Sequence, residues 1–301
     1  MGNMWESIID RQTGFVNFTG KMADACRQTR VAVFGCGGNG AILDALVRVG
    51  FERFEIADYD TVEASNLNRL PFGIDLIDVP KVEAWKRYLA TINPACQVTA
   101  HRRRITHKDR DWVAAVIERN DIVALGTTSP EANLVISRLC HRAARRMVVG
   151  PASSGSLVVS TFTHTDDVTL ESLGCFGTEH LALNEIDYQS LTPLYARLVY
   201  YPGRKEKIDG LARRQMAGGE LEARSCKIFV SLTNAAMCWE MVKNVAVMND
   251  LPLENTQVIE MPVMQIFDPY KGAAYYWNYR TEQIGIPDWA TEEIHWREWK
   301  E

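Results

Sequence analysis

Apolar and polar positions follow two rhythms along the first 150 residues. Short apolar runs at 31–34, 53–58 ("RFEIAD"), near 96–101, at 121–126 ("DIVALG") and at "MVVG", ending at Gly150, have the length and content of buried strands. Between them, apolar residues recur every three to four positions: after a glycine turn at 35–40, near 80–92 ("PKVEAWKRYLATI"), near 109–119 and over 130–146. That spacing predicts helices with one buried face. Asn93-Pro94 ends the second of them, because proline disfavours the helical conformation in the residue before it. Regular alternation of strand and helix predicts an α/β fold: a doubly wound, Rossmann-like, mostly parallel sheet with helices on both faces.

Past Gly155 the rhythm changes. "SLVVSTFTH", "TQVIEMPVMQIFDP" and "AAYYWNYR" read as strands of a mixed or antiparallel C-terminal extension. Between the first two lies a polar, glycine-bearing segment, 165–224, including "YPGRKEKIDG" and "QMAGGELEARS". Irregular segments of that length in a compact chain are usually functional or mobile. "SCKIFVSLTNAAMCWEMVKNVAVM" then predicts one long helix, with Phe229, Leu232, Ala236, Trp239 and Val242 on a repeating face. The expected organisation is an N-terminal helical arm over 1–29, a core over 30–160, and a C-terminal part of the same domain over 161–301.

Composition narrows the function. At 301 residues, with 47% hydrophobic and 24% charged residues, the chain suits one large α/β domain with an extension. A net charge of -5 gives no general attraction for nucleic acid or acidic membranes. Two basic runs, "HRRR" at 101–104 and "HRAARR" at 141–146, read as solvated faces. No two of the seven cysteines stand in C-x-x-C spacing, so no zinc site is expected. The N-terminus is charged too early for a secretory segment and no apolar run is long enough to span a bilayer, so a reducing cytoplasm is expected.

The chemistry begins at "VAVFGCGGNGAILDALVRVG". Gly35, Gly37 and Gly40 match G-x-G-x-x-G, with Gly38 as an extra glycine. The first permits a tight turn, the second lets backbone approach phosphate, and the third allows close helix–strand packing at a helix N-terminus that attracts anions. Asp58 closes the next strand, where an acid commonly takes ribose hydroxyls. To this point NAD and ATP fit equally. Downstream stand Asn66, Asn68, Arg69 and Lys81. A hydride-transfer site has no evident use for that group, whereas triphosphate chemistry uses cations and amide donors to neutralise developing charge.

"GCGGNG", "DYDTVEASNLNR", "PKVEA" and "INP", in that order and spacing over about 10–160, resemble the ThiF/MoeB/HesA family, the ubiquitin-activating-enzyme-like adenylyltransferases. The resemblance implies ATP and Mg²⁺ as cofactors, adenylation of a carboxylate on a peptide or small protein, and a homodimer. It places Gly35, Gly37, Gly38 and Gly40 beneath the phosphates and Asp58 on the ribose, with Asn66, Arg69 and Lys81 on the triphosphate; Asn68 belongs to the same group. "IIDRQTGF" at 8–15 is similar to the family's N-terminal element, which makes Arg11 a residue reaching the partner subunit's ATP. The C-terminal part would then bind substrate and support the dimer.

Three departures from the family pattern stand out. Thr128 and Ser129 occupy the place of the family's Asp-Asn, so Mg²⁺ would lean on phosphates, water or another acid such as Asp60. The zinc-binding cysteine pairs of many members are absent, and "NRL" replaces "NRQ". Some relatives pass the acyl group to a cysteine; Cys226, at the start of a predicted helix, and then Cys175 are the candidates. Small relatives without zinc pairs modify ribosomally made precursor peptides in natural-product maturation, the preferred reading here, with 165–224 as the peptide clamp. Activation of a ubiquitin-like or sulfur-carrier C-terminus, carboxylate activation on tRNA, a catalytically silent nucleotide-binding partner and, last, NAD-dependent chemistry remain as alternatives.

Overall fold

The computed structural model describes residues 4–15, 17–150, 157–164, 168–174, 176–191, 227–254, 256–268, 273–281, 283–287 and 294–298. Strand β1 (Arg30–Phe34) lies between β2 (Arg53–Asp58) and β4 (Ile122–Leu125). β3 (Gln97–Arg102) pairs outside β2 and β5 (Arg146–Val149) outside β4, and all four pairings are parallel. β6 (Leu157–Phe162) pairs antiparallel with β5. β7 (Val263–Asp268), β8 (Ala273–Asn278), β9 (Gln283–Pro287) and β10 (Ile294–Glu298) continue antiparallel in one sheet of order β10-β9-β8-β7-β6-β5-β4-β1-β2-β3. The fold is the expected α/β one, with an antiparallel C-terminal extension.

Side chains alternate across the sheet with period two. Val31 and Val33 join one core and Ala32 and Phe34 the other; Ile122 and Ala124 are set against Val123 and Leu125 in the same way. Burial on both faces explains why these strands read as unbroken apolar runs. The first core is closed by α1 (Met4–Ile9), α2 (Gly20–Gln28), α3 (Ile42–Val49), α4 (Lys81–Ile92) and α8 (Lys227–Met248). The second is closed by α5 (Arg110–Glu118) and α6 (Pro130–Arg142), with α7 (Leu170–Gly174) beyond them. On that second face Glu55 is buried and satisfied by Arg119, Asn120 and His101, which ties α5 to the sheet.

Two of the predicted helices differ from expectation. The helix predicted over 130–146 ends at Arg142, because Ala144 sits at φ 53° and β5 already begins at Arg146. Ala and Arg are both good helix formers, so the local sequence carries no stop signal. In α8 the buried side includes Val230, Met237, Met241 and Val245. Of the expected face only Val242 is fully buried; Leu232 and Trp239 are each 38% exposed. α8 is apolar nearly all round, so periodicity does not choose its inner face. It is anchored by a buried polar group: Lys243 Nζ lies 2.6 Å from Glu240, whose Oε1 accepts from Ile259 N at 2.6 Å.

Candidate active site

Strand order reverses between β1 and β4, which opens a crevice at their carboxyl ends. The glycine turn lies there, directly after β1. Gly35 adopts φ +90°, and a Cβ there would stand 2.6 Å from the Gly126 carbonyl carbon and the Thr127 nitrogen. Gly126 N donates to Phe34 O at 2.8 Å, so the loops after β1 and β4 touch backbone to backbone. A Cβ on Gly40 would meet Gly35 O at 2.8 Å, which is the tight helix–strand approach expected of the third glycine. Gly37 differs: a Cβ would meet nothing within 4 Å. Gly37 precedes a single 3-10 turn, Asn39–Ala41, that runs directly into α3, with Ala41 N donating to Gly38 O at 3.2 Å and Ile42 N to Asn39 O; the positive end of this helical run is therefore at Gly38–Gly40.

Asp58, at the end of β2, holds this turn. Its Oδ2 accepts from Cys36 N at 2.6 Å and its Oδ1 from Asp60 N at 2.8 Å. Burial raises the Asp58 carboxyl above its ordinary value, against the pull of those two N–H groups and the Lys81 charge. Each oxygen keeps a further lone pair for a ligand hydroxyl. Lys81, at the start of α4, is buried; Nζ lies 2.9 Å from Asp60 Oδ2, and Lys81 N donates to Asp60 O at 2.9 Å. Trp85, one turn later, donates Nε1 to Cys36 O at 2.9 Å. The turn, both acids and Lys81 therefore form one connected unit.

The Asn66–Arg69 stretch forms a neighbouring loop. Asn66 is buried and shares a capping box with Glu63, so it shapes the loop from within. Arg69 donates to Ser65 O at 2.8 Å and to Asn68 Oδ1 at 3.0 Å, while its buried Nε has no partner. Desolvation lowers the Arg69 pKa, partly offset by Glu63. A buried guanidinium N–H without an acceptor is poised for an anion. Lys227 Nζ, on α8, reaches Arg69 O at 3.5 Å.

Thr128 is exposed on the loop after β4, while Ser129 caps α6 by accepting from Ala132 N at 3.3 Å. Arg11 is exposed in the turn after α1, and its neighbour Gln12 donates to Arg48 O at 2.6 Å. That is the far end of α3 from the glycine turn, about 12 Å along the helix. Cys226 and Cys175 lie outside the described residues, as does most of 165–224. Cys26, Cys36, Cys96, Cys140 and Cys238 are free thiols, each raised by burial, Cys96 and Cys238 to about 12. None of these five is a thiolate at neutral pH.

Much of both basic runs is engaged within the chain. His101 pairs with Glu55 and Arg103 with Asp109, and Arg104 lies over Tyr59. Arg145 donates to Glu118 O and Arg146 pairs with Glu260. No described helix is long and apolar enough to cross a membrane. Sequence reasoning missed three residues around the crevice. Trp85 could have been found, since it follows Lys81 by four positions on one helix face. Asn234, which donates Nδ2 to Gly38 O at 3.1 Å, and Lys227 could not, because nothing local ties α8 to a turn almost 200 residues earlier.

Comparison with known proteins follows the same outline. Ubiquitin-like modifier-activating enzyme 5 of Drosophila ananassae is 35% identical over 131 residues, 40% of this chain and 33% of that protein. The Drosophila willistoni counterpart is 43% identical over 125 residues, 38% of this chain and 31% of that protein. The matched part is thus about a third of the length of these relatives. Among solved structures, Escherichia coli MccB with MccA-N7isoASN superposes with a TM-score of 0.66 at 15% identity, over 93% of this chain and 72% of that one. MccB with ATP gives 0.66 at 15% identity, over 92% and 72%. PaaA gives 0.63 at 14% identity, over 93% and 75%. At these identities the structural likeness concerns the fold alone. Residues 9–197, well over half of the sequence, match the ThiF family, and the chain belongs to that family.

Proposed function

We propose that this chain binds ATP at the Gly35–Gly40 turn and adenylates a carboxylate of a peptide or small protein. The observation that carries this reading is the connected unit at the crevice. It joins the glycine turn, open at Gly37, to buried Lys81 through Asp58 and Asp60, and the neighbouring loop adds a buried guanidinium N–H of Arg69 with no acceptor. These are features of a polyanion site and offer nothing specific to nicotinamide. Asp58 would take the ribose, and Lys81 and Arg69 the phosphates.

In the reaction, a substrate carboxylate oxygen attacks the α-phosphorus. The bond from that phosphorus to the bridging oxygen breaks, and pyrophosphate leaves with the electron pair. Lys81 and Arg69 would stabilise charge spreading over the transferred and departing phosphates, with Asn68 steadying Arg69. The acyl-adenylate would then lose AMP to a nucleophile. Among the described residues no group of three or more His, Cys, Asp or Glu could hold a metal ion. Asp60 is already paired with Lys81, and Thr128 offers one neutral hydroxyl. Mg²⁺ would accordingly arrive with the triphosphate it neutralises.

The preferred substrate is a ribosomally made precursor peptide. The fold is shared with MccB, which has been crystallised with ATP and with MccA. The alternative, a ubiquitin-like protein C-terminus, draws support from the names of the sequence relatives. A homodimer would let Arg11 reach the partner subunit's nucleotide; in support, Arg11 is exposed and its neighbour Gln12 is tied to the end of α3 far from the chain's own glycine turn. Exchange of labelled pyrophosphate into ATP, driven by peptides, ubiquitin-like proteins or tRNA, tests the reading. Exchange with a peptide carboxylate supports it. Exchange with tRNA alone, or with nothing, overturns it.

A further inference from the structure

Helix α8 touches the crevice twice. At its first residue Lys227 Nζ stands 3.5 Å from Arg69 O, and seven residues later Asn234 Nδ2 donates to Gly38 O at 3.1 Å. Two turns of helix span about 10 Å, so one rigid element bridges the Arg69 loop and the glycine turn. Its close approach depends on Gly150 at the end of β5. A Cβ there would overlap Met237 and stand 3.0 Å from Thr233 Cγ2.

Asn234 is 4% exposed, and its Oδ1 has no partner. A buried amide left half satisfied is a poor choice for stability alone. What it does accomplish is to fix the Gly38 peptide. Gly38 O also accepts from Ala41 N at 3.2 Å, so it points along the helix direction of the turn. In a trans peptide the N–H points opposite to the C=O. Clamping the Gly38 carbonyl therefore aims the Asn39 N–H back toward the open space at Gly37, where an anion would sit.

We propose that Asn234 is a positioning residue for the nucleotide site, holding the phosphate-binding peptide of Gly38 and Asn39 in place from the C-terminal part of the chain. This deepens the ATP reading and rests on it for its ligand. The C-terminal part would then build the nucleotide site as well as receive substrate, and a shift of α8 on substrate binding would be felt directly at the phosphates.

The test uses the near-isosteric Asn234→Leu and the smaller Asn234→Ala, both of which remove the donor and add no charge. Thr233→Val, on the neighbouring position, is a packing control. Amide hydrogen exchange at Asn39–Ala41 is measured without ligand, and ATP affinity by calorimetry. The proposal predicts about tenfold faster exchange in the turn for both Asn234 variants, with exchange over Met237–Val245 unchanged. ATP affinity falls about fivefold to tenfold, the scale of one lost hydrogen bond, and Thr233→Val matches wild type in both. If the Asn234 variants show wild-type exchange in the turn, the proposal is overturned. If wild type does not bind ATP, the ATP reading fails, and the exchange result still decides whether Asn234 positions the turn.

Discussion

Replacing Lys81 with methionine separates two roles that one side chain could have. In the free protein Lys81 is the partner of Asp60 at 2.9 Å, with 9% of its side chain exposed against 43% for Asp60. Methionine keeps the buried aliphatic volume and removes only the charge. Losing the ion pair leaves Asp60 open to water, and buried Asp58 gives up the Lys81 charge but keeps its two backbone N–H donors. The lost pair should cost no more than about 1 kcal/mol. For 301 residues the unfolding entropy is about 0.6 kcal/mol per degree, so Tm falls by about 2 °C at most. If Lys81 instead receives phosphate oxygens, a charge-assisted hydrogen bond worth about 1.5–3 kcal/mol is lost with it. ATP affinity, measured by calorimetry, should then fall about 10- to 150-fold. A folded Lys81→Met protein that binds ATP within twofold of wild type would make Lys81 a structural partner of Asp60 and refute the assigned role.

Other perturbations follow from the same geometry. Gly35→Ala forces a methyl against Gly126 at a left-handed φ and should cost about 2–5 kcal/mol in chemical denaturation, whereas Gly37→Ala should leave stability within about 0.5 kcal/mol and weaken ATP at least about tenfold; equal effects on stability would contradict the distinction. Burial raises the Glu55 carboxyl, but hydrogen bonds from Arg119, Asn120 and His101 outweigh that and hold it below its ordinary value. Its stabilising contribution is therefore present above about pH 4.3, the unfolded value, and lost as pH falls through the lower folded value. Glu55→Gln should be less stable at neutral pH and lose less stability than wild type on acidification; parallel acid limbs would sink this. Arg138 and Glu171 form a buried ion pair, so Glu171→Gln should cost about 3–5 kcal/mol by leaving the guanidinium uncompensated, and a change under 1 kcal/mol would show the site is wetter than it looks.

The parallel half of the fold was readable because its strands and helices differ in period, and because the glycine turn, Asp58 and Lys81 lie within one contiguous stretch. The reading failed where structure is set from a distance. Nothing in "RAARRM" marks the end of α6, since the left-handed Ala144 is imposed by the need to enter β5 beside β4. The inner face of α8 was misread because its apolar residues encircle the helix, leaving the sheet and α3 to choose. Asp58 shows a further limit. Its spacing pointed to a ribose acid, but not to the two backbone N–H groups that make it the brace of the glycine turn. Asn234 and Lys227 reach the crevice only through tertiary packing.

Every role proposed for the crevice requires that it take ATP rather than a nicotinamide dinucleotide. Thermal unfolding with ATP·Mg²⁺, ATP with a chelator, and NAD tests this directly. A ligand at a hundred times its Kd adds about 2.7 kcal/mol, which for this chain raises Tm by about 4 °C. Tm is expected to rise by that amount with ATP·Mg²⁺, by less with ATP and a chelator, and not at all with NAD. A rise with NAD and none with ATP would contradict the ATP reading.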